Sequence, residues 1–90
     1  MTPPRIRCLD AARAAVVERA GAYGKPEDLF AAIARRWSLT LGVKIEARQV
    51  ALCMIDLKME RAIVGGSEDS VIDIAGYAAC LYELDGEVGS

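Results

Sequence analysis

Asp56-Leu-Lys-Met-Glu60-Arg61-Ala-Ile-Val-Gly65-Gly66-Ser67-Glu68-Asp69-Ser-Val-Ile-Asp73 decides the fold. A stretch of helical character ends at the Gly-Gly pair, and Ser67 is a natural N-cap for a second helix. Glu68 and Asp69 then fall where the positive end of that helix favours acids. The segment therefore predicts two helices joined by a tight turn. It also sets acids four apart on each, Asp56 with Glu60 and Asp69 with Asp73, so that each pair shares a face.

Working outward, the same logic predicts four helices. The third runs from about Ala47 to Val64, with Val50, Met54, Leu57 and Arg61 on one side and Cys53, Asp56 and Glu60 on another. The fourth continues from Ser67 to about Leu84. Upstream, Leu9, Ala12, Val16 and Ala20 form an apolar stripe for a helix near Ile6 to Ala20, with Gly21 as its stop. Pro26 suits the first turn of a second helix, and Glu27 and Asp28 follow at its positive end. Phe30, Ile33, Trp37 and Leu41 repeat at helical spacing before Gly42, with Trp37 read as core. Ile45, in the short link that follows, is expected to anchor into the core. Residues 1–5 are expected to be extended and residues 85–90 to fray. The fold class is all-α: a compact bundle of about four helices with short loops, in one domain spanning residues 1–90.

Composition narrows the chemistry. Ninety residues form one small core, marginal alone, so a homo-oligomer is expected. A net charge of −2 argues against nucleic acid as a partner. No apolar run is long enough to span a membrane, and no signal-peptide core is visible, which points to the cytoplasm. Cys8, Cys53 and Cys80 lack metal-ligand spacing and read as reduced thiols. The chain has no histidine, which excludes Ser-His-Asp and Cys-His catalysis and the usual zinc ligands. Any metal would be held by oxygen, as Mg²⁺ or Mn²⁺ is.

Asp73 stands out, because it sits mid-helix between Ile72 and Ile74, where a partly buried carboxylate needs a partner. That partner is either a ligand or a structural cation, Lys58 or Arg61. Lys58 and Arg61 beside the opening of the fourth helix also make a candidate anion cradle. Tyr23 and Lys25, in the loop before Pro26, offer an aromatic face and a cation. Gly76 beside Tyr77 costs about 1 kcal/mol of helix propensity against Ala, which close helix contact or ligand approach explains.

Tyr23-Gly24, Phe30, Ile33-Ala34, Trp37, Leu41-Gly42, Val50-Ala51, Leu57-Lys58, Arg61 and Asp73-Ile-Ala-Gly-Tyr-Ala-Ala79 together resemble a family of small phage and prophage proteins of unassigned function. The resemblance spans about residues 19–84. More distantly, the helix order and the acids of the last two helices resemble the MazG-like all-α nucleotide pyrophosphohydrolases. That likeness implies Mg²⁺ held by paired acids, here Asp56, Glu60, Asp69 and Asp73. The sequence departs from the pattern: Ser70 stands three before Asp73 where those enzymes have Glu, and Lys58 sits inside the would-be metal face.

The leading expectation is a cytoplasmic phage-type protein that binds a nucleotide or nucleotide-derived molecule and needs no cofactor. Its use, by analogy with other small phage proteins, would be to sequester a host defence signal. Tyr23, Lys25, Lys58, Arg61, Asp69, Asp73 and Tyr77 are its expected ligand-binding residues, and no catalytic residue is assigned. The alternatives are a divergent Mg²⁺-dependent nucleoside triphosphate pyrophosphohydrolase and a structural or protein-interaction module.

Overall fold

A computed structural model describes residues 1–65 and 68–89, apart from the side chains of Tyr23 and residues 87–89. It contains α1 (Pro4–Tyr23), α2 (Pro26–Leu41), α3 (Ala47–Gly65) and α4 (Glu68–Gly89), and no strand among the described residues. Ser67, expected as the α4 cap, lies outside the described residues.

Three boundaries differ from the sequence reading, each for a local reason. Pro4 opens α1, so residues 4 and 5 are helical rather than extended. Proline suits this position because its missing N–H would have no helical partner anyway. The Pro3 carbonyl then accepts the first bonds, from the Ile6 and Arg7 amides at 3.0 and 3.1 Å. Gly21 does not stop α1; the helix ends at Gly24, whose φ of 83° a side chain would strain. Lys25 is extended ahead of Pro26, as a residue before proline prefers. At the other end α4 runs on to Gly89, beyond the end expected near Leu84. Asp85 there accepts a 2.7 Å bond from Arg48 of α3.

The short α2–α3 link is organised by one hydroxyl. Ser38 Oγ donates to the Ala34 carbonyl at 2.7 Å and accepts from the Ile45 amide at 2.8 Å. Ile45 thereby packs against the core, as expected. Gln49 reaches back to accept the Glu46 amide at 2.8 Å, in the manner of a capping box.

The core consists of Phe30 and Ala34 from α2, Val50 and Ala51 from α3, and Leu84 from α4, with Ile33, Trp37, Met54, Tyr77 and Leu81 packed around it. α3 and α4 make the most extensive contact, α2 packs on α3, and α1 lies against α4 with little contact to α2. The apolar stripe expected on α1 is therefore only partly used. Ala12 is buried, but Leu9 is exposed because no element covers that side. Leu41, at the last residue of α2, is likewise exposed. The bundle is compact but elongated. Its radius of gyration is 14.1 Å, against about 12 Å for an average domain of this length.

Candidate functional site

α4 carries one charged side chain between Ser70 and Tyr82, and it is Asp73. The structure answers this carboxylate from two other helices. Lys58 Nζ of α3 lies 2.9 Å from Oδ2, with the two side chains only 14% and 18% exposed. Arg19 of α1 approaches Oδ1 at 4.0 Å, and its side chain is 56% exposed. Lys58 is thus packed behind Asp73 as a structural counter-ion, while Arg19 reaches toward solvent. The carboxylate joins the helix pair that forms most of the core to the loosely packed α1.

In front of Asp73 lies a groove of about 450 Å³ bounded by α1, α2 and α4, with Met54 of α3 in its wall. Its apolar lining includes Phe30, Ile33, Leu29, Ile72 and Tyr77. Volumes of this order are those of small-molecule sites. The Phe30 and Tyr77 rings lie 6.1 Å apart at 42°, a tilted aromatic pair that gives one wall a fixed shape. Gly76 completes the groove where α1 comes closest to α4: a Cβ there would meet Val16 Cγ2 at 3.6 Å, ordinary contact. Close helix approach thus accompanies this glycine without requiring it.

Cys80 also lines the groove. Burial pushes its thiol above the usual range, and Glu83 and Glu27 add to this while Arg19 partly opposes it. A neutral thiol is a wall rather than a nucleophile. Glu27 has one carboxylate oxygen buried without a hydrogen-bond partner among the described residues. Its influence on Cys80 places it near the same end of the groove.

The expected residues therefore divide. Lys58, Asp73 and Tyr77 come together, and Lys25 lies beside the groove between its lining residues Gly24 and Pro26. Tyr23's side chain lies outside the described residues. Arg61 and Asp69 are exposed and form no ion pair among the described residues. Asp56 and Glu60 are exposed as well, Ser70 is buried, and no three acids or cysteines among the described residues come together as a metal-holding set. Arg19 and Cys80 were not singled out in the sequence.

A double-mutant cycle tests the ion pair. Lys58→Met alone strands a half-buried carboxylate and should lower stability by about 2 kcal/mol. Lys58→Met combined with Asp73→Leu should recover most of that loss in urea unfolding. Additive losses would show that the two groups do not stabilise each other.

Among known proteins, the Gene 55 protein of Mycobacterium phage L5 is 38% identical over 69 residues, which cover 74% of this chain and 44% of that protein. The chain thus spans less than half the length of the relative it matches. No solved structure matches it significantly. Neither finding extends to the MazG-like enzymes. No helix among the described residues is long and apolar enough to cross a membrane. Residues 7–85, nearly the whole bundle including Arg19, Lys58 and Asp73, match the model of a domain of unknown function, DUF6378, and the chain belongs to that family.

Proposed function

We propose that this phage-related protein binds a nucleotide or nucleotide-derived small molecule in the groove between α1, α2 and α4. The observation that carries the reading is a carboxylate and a guanidinium, Asp73 and Arg19, set in the wall of an otherwise apolar, aromatic-lined groove. Planar bases bind well to such walls, because aromatic surface stacks on any base. The apolar side takes the base, with Tyr77 against it. Arg19 and Lys25 offer cationic contacts to phosphate near the mouth, and Asp73 accepts donors of base or ribose. Sequestration of a nucleotide signal is one use of such binding; it needs no chemistry from the protein. Of the two cations expected to hold phosphate, Lys58 supports Asp73 from behind, and Arg61 is exposed on α3 away from the groove.

A second reading, compatible with the first, is self-association. Leu52, Met59 and Ile63 repeat at helical spacing on the outside of α3, and Val71 and Tyr82 are exposed on α4. Helices that are apolar on both faces are normally buried on both. A second copy of the chain covers the outer face in this reading.

Two measurements follow. Calorimetry against linear and cyclic nucleotides should detect micromolar binding by at least one, weakened roughly tenfold by Arg19→Ala and unchanged by Asp69→Asn. A folded protein that binds none of the panel would refute the nucleotide reading. Light scattering should give a mass above the 9.7 kDa of one chain; a monomer at high micromolar concentration would remove the second reading.

A further inference from the structure

We infer that the groove selects planar rings bearing an amino group, so that amino-substituted nucleobases are preferred over their keto counterparts. This rests on the nucleotide reading above and specifies what that site recognises. Among the described residues, Asp73 is the one acidic side chain that lines the groove. A carboxylate accepts hydrogen bonds at about four lone-pair positions and donates none. Lys58 occupies one position, on Oδ2, at 2.9 Å. Arg19 stands 4.0 Å from Oδ1, beyond hydrogen-bond length, which leaves Oδ1 with acceptor capacity toward the groove.

The surroundings make that acceptor selective. Most of the groove wall is carbon, from Phe30, Ile33, Leu29, Ile72 and Met54, and provides few competing polar partners. A ring edge with an amino group meets Oδ1 with a donor. A ring edge with a carbonyl at the same place sets oxygen against oxygen and leaves the carboxylate without its water. Sites built around a buried polar group reject ligands that leave it unpaired far more strongly than apolar pockets reject a change of size. Lys58, fixed behind Asp73 and mostly buried, holds the carboxylate in place, so it cannot turn away from a mismatched ring without breaking a 2.9 Å ion pair.

The test uses matched pairs on the whole chain: adenosine against inosine 5′-monophosphate, and cytidine against uridine 5′-monophosphate. The amino member should bind roughly 10- to 100-fold more tightly, the loss expected for one unpaired buried acceptor. Arg19→Ala should weaken both members of a pair alike and preserve their ratio. Asp73→Asn, whose amide both donates and accepts, should bring the ratio close to one. If that variant does not fold, the wild-type ratios decide alone. Equal binding of both members, or a preference for the keto member, would overturn this inference and leave nucleotide binding standing. Absence of binding by all four would overturn this inference, and absence across the wider panel of linear and cyclic nucleotides would overturn the nucleotide reading as well.

Discussion

The Lys58–Asp73 ion pair is the contact on which the rest of the arrangement depends. α4 is otherwise uncharged from Ser70 to Tyr82, and both α3 and α1 pack along it. A carboxylate in that position is costly unless a cation answers it. Lys58 does so from α3, which fixes the rotation of α3 against α4, and Arg19 approaches from α1. α1 makes little contact with α2, so its position depends on what it meets along α4. The groove is the space left where α1 spans from Asp73 to the start of α2.

This pair is a poor device for stability alone. Replacing a half-buried ion pair by well-packed apolar side chains is often neutral or favourable. Its use is better understood as placement: it keeps a hydrogen-bond acceptor at a fixed point in a wall of carbon. Gly76 follows the same logic. Its Cβ would fit, and helix propensity favours alanine by about 1 kcal/mol. The glycine lines the groove where α1 meets α4.

The helices were legible in the sequence because their signals are local. Pro26, Gly42 and Gly65-Gly66 punctuate the chain, and Phe30, Ala34 and Val50 keep helical spacing into the core. The ends were less legible. Pro4 opens a helix with the Pro3 carbonyl accepting its first bonds, and the last part of α4 meets Arg48, a residue 37 positions from Asp85. In the site, Asp73 was recognisable as a charge between two isoleucines, and Lys58 was named among its potential partners. Arg19 was missed because its role depends on how α1 crosses α4, a tertiary fact that no spacing encodes. Arg61 and Asp69, also expected at the site, are exposed and do not line the groove. Proximity in sequence to the Gly-Gly turn placed them near the acids, but their helix faces point outward.

The central claim is that the groove in front of Asp73, and not the α3–α4 turn, is where this protein meets its ligand. Amide chemical-shift mapping during titration with a nucleotide that binds would test it most directly. The account predicts shifts clustered at Arg19, Gly24, Asp73, Gly76, Tyr77 and Cys80, with little change at Asp56, Glu60, Arg61 and Asp69. Shifts concentrated on that second set, with the groove amides unmoved, would contradict it.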